Sequence, residues 1–266
     1  MNRIIKKIEL ASTIKKIEME APEIAKKIQP GQFIILRIDE KGERIPLTVV
    51  EKDVTKRTIS LIFQEIGKTT KDLGQLNPGD YILDLIGPLG HPTEIKNYGE
   101  SEHSGQVIAI GGGVGVAEIL PVAKALREAG NQVIGIIGAR TKELVILEKE
   151  MREVCNQLFV TTDDGTYGEK GFVSDILQRI LSNHPVSSSP RPSDLVYAIG
   201  PLPMMKVISE LTRPYKIRTI VSLNPIMVDG TGMCGSCRLE VAGATNFVCV
   251  DGPELDGHLV NWDLLI

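Results

Sequence analysis

The chain has 266 residues, more than the about 100–200 residues of a typical domain, so its length predicts two or more domains. Its composition is globular, with 42% hydrophobic and 24% charged residues. A net charge of −4 and 4% aromatic residues argue against a nucleic-acid-binding protein. No apolar run approaches the ~20 residues that cross a bilayer, and the basic N-terminus lacks an apolar core. We therefore expect a cytoplasmic chain without a signal peptide or a membrane span.

The first 97 residues are rich in β-strand signals. Short segments rich in Ile, Val and Leu are separated by turn signals such as Pro30-Gly31 and Asn77-Pro78-Gly79. The strands are expected at residues 4–10, 14–20, 32–38, 48–53, 58–63 and 80–86, with a short helix at 68–76. This pattern predicts an antiparallel β-barrel or sandwich over residues 1–97. A β-domain without any ligand fits the same pattern.

Residues 98–222 show strands alternating with helices, after a polar linker at 97–106 and with a Ser/Pro-rich loop at 183–193. Strands are expected at residues 107–110, 132–137, 158–162, 195–199 and 218–222. Helices are expected up to residue 129 and at 142–154, 171–181 and 203–212. Such alternation predicts an α/β domain with a doubly wound parallel sheet. Because proline disrupts helix interiors, Pro121 is expected in the first turn of its helix.

A glycine-rich turn follows the first of these strands. It consists of Gly111, Gly112, Gly113, Val114 and Gly115. Glycines between a strand and a helix let a pyrophosphate approach the backbone and the helix N-terminus, which indicates nucleotide binding. Glycines also occur in such turns for steric reasons alone, and the spacing is not the usual GxGxxG.

Other strand ends carry further candidate contacts to the nucleotide. The second strand ends in Arg140 where an acidic ribose contact is usual, so Arg140 is a candidate ribose or phosphate contact or an ordinary surface arginine. Asp163 and Asp164 lie at the end of the third strand, where they either contact the nucleotide or form an ordinary turn. The fourth strand ends in Gly200 and Pro201 and is followed by Met204, either as a ligand site or as a helix start with core methionines.

Three of the four cysteines lie close together near the C-terminus. Cys234, Cys237 and Cys249 have the spacing C-x2-C-x11-C in a glycine-rich segment, residues 223–266. The plant-type two-iron cluster uses C-x4-C-x2-C and a distant fourth cysteine. Asp229 occupies the position of the first cysteine, and its carboxylate is a reasonable fourth ligand for iron. The spacing therefore predicts a [2Fe–2S] cluster. A structural zinc completed by His258 and a set of unligated thiols are the alternatives.

Together these motifs resemble the ferredoxin–NADP reductase superfamily, and the cysteine-rich tail resembles electron-transfer subunits of dihydroorotate dehydrogenase. Met227–Cys237 and Phe247–Pro253 are similar to the small subunits of NADH-dependent reduced ferredoxin:NADP oxidoreductase, also described as sulfide dehydrogenase β subunits. In that family the cluster has one Asp and three Cys ligands. The resemblance covers essentially the whole chain.

The resemblance adds FAD to the barrel. The family's flavin-binding Arg-Pro-x-Ser segment corresponds to a run in which Ile45 occupies the Arg position and Arg44 is displaced by one residue. The implied flavin contacts are Arg44, Pro46, Leu47, Thr48, Ile62, Phe63, Gln64, Gly67, Lys68, Thr69 and Thr70. Thr69 and Thr70 are equally suited to capping a helix.

The function implied by the resemblance is electron transfer. Hydride passes between NAD(H) and FAD, and single electrons pass between FAD and the cluster. The implied partners are a larger flavin and iron–sulfur subunit that binds NADPH and, through the complex, ferredoxin, so the complex is expected to bifurcate electrons. The alternative within this class is an electron-transfer subunit of dihydroorotate dehydrogenase or of sulfide dehydrogenase. A non-catalytic docking module with a zinc-bound tail is the alternative from another class.

Overall fold

The structure is a computed structural model that describes residues 2–99, 105–182 and 194–266. The predicted loop at 183–193 and residues 100–104 of the predicted linker lie outside the described residues. None of the described helices is long and apolar enough to cross a membrane.

The chain forms two compact units. The barrel unit comprises Met1–Thr93, Asn224–Leu239 and Thr245–Pro253. The parallel-sheet unit comprises Glu94–Leu223, Glu240–Ala244 and Glu254–Ile266. The expected third segment, residues 223–266, is divided between these two units. A segment so short buries too little apolar surface to form a core of its own, so its parts pack onto the larger units.

The barrel unit is an antiparallel sheet with the strand order β6-β1-β2-β5-β4-β3-β7. Its strands are β1 (Asn2–Ala11), β2 (Ile14–Glu20), β3 (Phe33–Arg37), β4 (Ile45–Asp53), β5 (Thr58–Gln64), β6 (Tyr81–Ile82) and β7 (Asp84–Leu89). Its helices are α1 (Pro22–Lys27) and α2 (Lys68–Gln75). Ile17, Ile34, Leu61, Phe63 and Leu73 are among the buried residues of its core. The expected antiparallel β-domain is therefore present.

Two details of the barrel differ from the sequence expectation. Helix α1 was not predicted, because six residues are too few to show a helical period. Strand β4 begins at Ile45, three residues before the expected start at Thr48. Pro46 lies in this added part of the strand. It is accommodated because this part of β4 pairs with β3, whereas pairing with β5 begins only at Val49.

The parallel-sheet unit has the strand order β11-β10-β9-β8-β12-β13-β16. Its strands are β8 (Gln106–Gly112), β9 (Gln132–Ala139), β10 (Gln157–Thr162), β11 (Glu169–Lys170), β12 (Asp194–Ile199), β13 (Arg218–Ser222) and the antiparallel edge strand β16 (Glu254–Asp256). Its helices are α3 (Gly115–Glu128), α4 (Glu148–Val154), α5 (Val173–Ser182) and α6 (Leu202–Thr212). Consecutive strands extend the sheet from β8 toward β10 on one side and from β12 toward β13 on the other. The expected doubly wound sheet is therefore present.

Two helices of this unit depart from the expectation. Helix α3 begins at Gly115, so Pro121 lies inside it rather than in its first turn. The early turns bury Val116 and Ile119, and each such burial is worth about 1.5–3 kcal/mol, which offsets the backbone bond that proline lacks. The expected helix at 142–154 is split into a 3-10 turn (Lys142–Leu144) and α4, because Leu147 adopts a left-handed backbone with φ 55°.

The rest of the C-terminal region is built from short elements. A hairpin of β14 (Arg238–Val241) and β15 (Ala244–Phe247) precedes the single-turn helix α7 (Val248–Asp251). A 3-10 turn at Trp262–Leu264 lies near the end of the chain. The segment that carries Asp229 and Cys234 contains no helix or strand.

Candidate functional site

The glycine-rich turn lies at the switch point of the parallel sheet. Strands β8 and β12 are neighbours, with Ile199 paired with Gly111, and their connections leave in opposite directions. Open α/β sheets bind ligands at the carboxyl ends of the strands at such a point. The two segments that the sequence singled out, residues 111–115 and 200–204, are therefore brought together here.

The glycines of this turn have two different roles. A Cβ on Gly112 would collide with the Met204 sulfur, and one on Gly115 would collide with the Ile199 carbonyl oxygen. Both glycines are required by close packing. Gly113 has φ 57°, and a Cβ there would meet no described atom within 4 Å. Gly113 thus leaves an open space beside the N-terminus of α3, which is the site a pyrophosphate would need.

Arg140, Asp163 and Asp164 cluster at the ends of β9 and β10. The Asp164 N–H donates to the Arg140 carbonyl oxygen at 3.3 Å, and the Asp163 N–H donates to that of Ala139 at 3.1 Å. Arg140, Asp163 and Asp164 are all exposed. The Asp164 carboxylate accepts from the Thr166 hydroxyl at 2.7 Å and its N–H at 2.9 Å, and these bonds lower the pKa of Asp164. Asp164 therefore holds the turn, which is the simpler of its two expected roles.

The first flavin segment borders a cavity within the barrel unit. The cavity has a volume of about 700 Å³ and is lined by Arg37, residues 42–46 and residues 224–228. Arg44 and Pro46 are therefore at the cavity, whereas Leu47 and Thr48 continue along β4. Ile45, which stands in the family's Arg position, packs partly against the barrel core. Arg44 thus lines the cavity despite its one-residue displacement.

The other flavin segments lie on β5 and at the start of α2. Ile62 and Phe63 are 4% and 2% exposed, so their side chains belong to the barrel core, and Gln64 ends the strand. A Cβ on Gly67 would meet none of the described atoms within 4 Å.

The hydroxyls of the α2 N-terminus already have partners. The Thr70 hydroxyl accepts from the N–H groups of Ile66 and Gly67, each at 3.1 Å, as expected for a helix cap. The Thr69 hydroxyl donates to a Glu43 carboxylate oxygen at 3.1 Å, which ties α2 to the cavity rim. Lys68 is exposed and lies 3.3 Å from Asp72.

Asp229 and Cys234 form one pair of candidate cluster ligands. One Asp229 carboxylate oxygen accepts from the Thr231 N–H at 2.7 Å, and the other accepts from the Cys234 N–H at 2.6 Å. The Thr231 bond, followed by that of Cys234, lowers the pKa of the Asp229 carboxyl. The Cys234 thiol is exposed and lies 3.1 Å from the Ser236 hydroxyl, which lowers its pKa.

Cys237 and Cys249 form the other pair. They are 1% and 4% exposed, and the Cys249 N–H donates to the Cys237 sulfur at 3.4 Å. Cys249 is the second residue of the short helix α7, and the N–H of Val248, which begins this helix, donates to the Cys237 carbonyl oxygen at 3.2 Å. Burial and then the Cys237 thiol raise the pKa of Cys249 to about 12.

The donor set of this loop suits an iron–sulfur cluster. All four candidates belong to the barrel unit, and a backbone N–H already points at a sulfur, as in clusters tuned by hydrogen bonds. Across the described parts of the chain, no group of three or more His, Cys, Asp or Glu is arranged as a metal site. His258 belongs to the other unit, where its Nε2 lies 2.9 Å from the Thr212 hydroxyl.

Two family models match the chain. The iron–sulfur cluster binding domain of dihydroorotate dehydrogenase B matches residues 224–261, and the oxidoreductase NAD-binding domain matches residues 109–210. The chain is 44% identical to the Dihydroorotate dehydrogenase B (NAD(+)) electron transfer subunit homolog of Thermotoga maritima, covering 100% of this chain and 89% of that protein. It is 33% identical to the corresponding electron transfer subunit of Streptococcus pneumoniae R6, covering 94% of each. The chain belongs to the dihydroorotate dehydrogenase B electron-transfer-subunit family.

A solved structure agrees with this assignment. A chain of the NADH-dependent reduced ferredoxin-NADP oxidoreductase, studied for flavin-based electron bifurcation, is 43% identical with a TM-score of 0.89. The match covers 100% of this chain and 91% of that one. The resemblance and the fold class expected from the sequence are therefore confirmed. So is the expectation of an oxidoreductase electron-transfer subunit whose cofactors are FAD, NAD(H) and an iron–sulfur cluster. Its relatives are subunits of larger complexes, which implies a larger partner subunit.

The sequence did not identify some residues of the site. Residues 224–228 line the cavity together with Arg37 and Glu43, and Glu43 also binds Thr69. In the run Asn224-Pro225-Ile226-Met227-Val228, the last four residues are apolar and non-periodic and directly precede Asp229. The available sequence signal for these residues was a short apolar run, without helical or strand periodicity, directly before a metal-binding motif.

Proposed function

We propose that this chain exchanges hydride between NAD(H) and FAD and single electrons between FAD and a [2Fe–2S] cluster. Bound FAD would supply the two-electron chemistry and the cluster the one-electron chemistry. One observation carries the proposal: the barrel unit contains both the cavity lined by Arg44 and Pro46 and all four candidate cluster ligands. The tasks of the protein are then to bind, orient and separate the redox groups.

On the nucleotide side, the chain would hold NAD(H) at the switch point. The open backbone at Gly113 and the N-terminus of α3 are suited to the pyrophosphate. Residues 200–204 would border the nicotinamide end. Asp163 is suited to a ribose hydroxyl, with Arg140 as a second contact, because both are exposed at adjacent strand ends.

On the flavin side, Arg44 and Pro46 would contact FAD in the cavity, and Leu47 and Thr48 would continue the contact along β4. Gly67, Lys68, Thr69 and Thr70 at the start of α2 are suited to the pyrophosphate, because a helix N-terminus favours anions. Ile62 and Phe63 would act through their backbone, since their side chains are buried in the barrel core. Gln64 would reach the ligand from the end of β5.

Asp229, Cys234, Cys237 and Cys249 would hold the cluster. The close pairs Asp229/Cys234 and Cys237/Cys249 are consistent with two protein ligands on each of two irons. A bound iron deprotonates its thiols, so Cys249 can serve as a ligand although burial raises its pKa in the metal-free chain. His258 has a hydrogen-bond partner in the other unit, which disfavours zinc completed by that residue. Residues 1–97, 98–222 and 223–266 thus correspond to the flavin, nucleotide and cluster functions, although the last is not a compact unit.

The larger partner would be a flavin and iron–sulfur subunit that binds NADPH, and the complex would use ferredoxin and bifurcate electrons. The similarity to a chain of the NADH-dependent reduced ferredoxin-NADP oxidoreductase supports this assignment. A cytoplasmic location agrees with three thiols reserved for iron, since reducing compartments keep thiols free. Service to a dihydroorotate dehydrogenase catalytic subunit is the second candidate, supported by the family models and relatives.

Anaerobic purification of the full chain followed by cofactor analysis tests the proposal. We expect one FAD, two irons and two acid-labile sulfides per chain, and bleaching of the flavin absorption on addition of NADH. FMN in place of FAD, zinc in place of iron, or a flavin that NADH leaves oxidised would contradict it. Adding dihydroorotate dehydrogenase catalytic subunit or ferredoxin and NADP then distinguishes the two partner assignments.

A further inference from the structure

The cavity of the barrel unit has two walls, and only one of them contains predicted flavin contacts. The first wall is formed by residues 42–46, which include Arg44 and Pro46. The second is formed by residues 224–228, to which neither the sequence motifs nor the family resemblance assigned a role in flavin binding. This second wall runs directly into the cluster loop.

The composition of the cavity suits a planar aromatic ring with a polar extension. Apolar residues from both segments line the cavity: Ile45, Pro46, Pro225, Ile226, Met227 and Val228. Ligand pockets enclose most of a bound ring with apolar side chains and fix its orientation with a few polar groups. Arg37, Glu43 and Arg44 provide such groups. Methionine also makes favourable contacts with aromatic rings.

The second wall is held in place by the barrel. Met227 is only 3% exposed, although it also borders the cavity. Two residues past Val228, the backbone at Gly230 lies so close to β3 and β7 that a Cβ would meet Leu89 at 2.6 Å and Ile35 at 2.9 Å. Ile226, in contrast, is 79% exposed. An anchored segment that presents an exposed isoleucine beside a cavity is suited to close over a ligand.

We propose that residues 224–228 form the second wall of the flavin site, with Ile226 packing on the flavin ring. This inference rests on the proposed function and assigns it a further set of binding residues. Because consecutive Cα atoms are about 3.8 Å apart, a ring that contacts Val228 lies one residue from the proposed ligand Asp229. One chain segment therefore contacts the flavin and begins the cluster loop, which provides a short route for electrons between them.

Matched substitutions of two exposed isoleucines test the inference. Ile226 lines the cavity, whereas Ile5 on β1 is 41% exposed in the same unit and is not part of the lining. Ile226→Ala removes three side-chain carbons and should weaken FAD binding at least about tenfold, the value expected when two of them are buried against the ring. Ile226→Glu should weaken it further and shift the visible absorption and circular dichroism of bound flavin. Ile5→Ala and Ile5→Glu should leave affinity and spectrum as in the wild type.

FAD affinity is measured by titrating the flavin-depleted full chain and following the quenching of flavin fluorescence. The inference is overturned if wild-type chain binds FAD while both Ile226 variants retain its affinity and flavin spectrum. That result would place another group, such as a partner side chain, in this part of the cavity and would leave the proposed function intact. A wild-type chain that binds no FAD would overturn the proposed function and this inference together.

Discussion

The nucleotide turn and the cluster loop are both rich in glycine, but different forces hold them. In the nucleotide turn, Gly112 and Gly115 are fixed by packing against Met204 and Ile199, inside a sheet whose strands are paired on both sides. The cluster loop has no strand or helix from residue 224 to 237, and its hydrogen bonds come mainly from ligand candidates themselves. The shape of the nucleotide turn is set by the packing of the surrounding sheet and helix. The shape of the cluster loop depends on hydrogen bonds made by the candidate ligands themselves.

This difference has a consequence for the effect of substitutions. A change in the nucleotide turn acts on a preformed site and alters ligand affinity. A change in the cluster loop removes a group that both shapes the loop and binds iron, and metal binding is coupled to the folding of such sites. We therefore expect all-or-none effects in the loop and graded effects at the turn and at the flavin cavity.

The largest effect is expected at Asp229. Asp229→Ala should lose most of the iron, because it removes both a ligand and the acceptor of the Thr231 and Cys234 N–H groups. Asp229→Cys should keep a two-iron cluster with an altered spectrum and reduction potential, since a thiolate donates more charge. Iron analysis and electron paramagnetic resonance measure both results.

His258→Ala is the control for Asp229. It should leave the cluster intact, because His258 lies in the parallel-sheet unit with Thr212 as its partner. Cluster loss in His258→Ala, or an unchanged resonance spectrum in Asp229→Ala, would refute the assignment of the fourth ligand.

At the nucleotide turn, Gly113→Val should raise the NADH dissociation constant by about tenfold or more, since a hydrogen bond to a charged group is worth about 1.5–3 kcal/mol. FAD content should not change. Titration with NADH under anaerobic conditions measures the effect.

Gly243→Val is the matched control for Gly113→Val. Gly243 has φ 78°, and a Cβ there would also meet no atom of the described chain within 4 Å, so the backbone strain is similar. It should leave NADH affinity unchanged. Equal NADH affinity in both variants would mean that the turn is structural only.

A smaller effect is expected at the flavin cavity rim. Arg44 is exposed, so solvent weakens its attraction for a phosphate, and Arg44→Ala should weaken FAD binding by about 1 kcal/mol, roughly fivefold. Arg3→Ala, which removes an exposed arginine from β1, should have no effect. Fluorescence titration with FAD distinguishes them, and equal affinities would exclude Arg44 from the flavin site.

The smallest effect is expected at Asp164. Its pKa is lowered in the folded chain by the Thr166 hydroxyl and N–H, so the ionised carboxylate stabilises the fold above its unfolded pKa of about 3.9. Asp164→Ala should lower the urea midpoint at pH 7, and its difference from wild type should shrink as the pH falls through the folded pKa. NADH affinity should change little, whereas Asp163→Ala should weaken NADH binding. A pH-independent difference would contradict this assignment of Asp164 to the turn.

The sequence predicted the parallel sheet well, because buried strands and helices leave periodic patterns and strand ends identify the site. Strand β13 was predicted with its observed bounds, and β9 and β10 within two residues. Pro121 was expected in the first turn of its helix, since the local rule against proline ignores burial, and the start of β4, which contains Pro46, was expected three residues too late. Such tertiary compensation has no signature in a local pattern.

At the candidate site, spacing singled out Asp229 and the three cysteines, because ligand spacing is a local property. Residues 224–228 were not identified as part of a cavity, since their proximity to Arg44 depends on how distant chain segments pack. The contact between Glu43 and Thr69 was missed for the same reason. Long-range packing around a ligand was therefore the least predictable feature.

Electron paramagnetic resonance of the full chain, frozen after anaerobic addition of NADH, tests most directly whether electrons pass from NADH through the flavin to the cluster. The account predicts the signal of a reduced two-iron cluster in the wild type. In Cys249→Ser this signal should be lost or altered, while NADH still bleaches the flavin. The account would be contradicted by a wild-type chain that contains both FAD and iron and whose flavin is reduced by NADH, but that shows no cluster signal. The signal would have to be absent at every NADH concentration and also in the presence of the larger subunit.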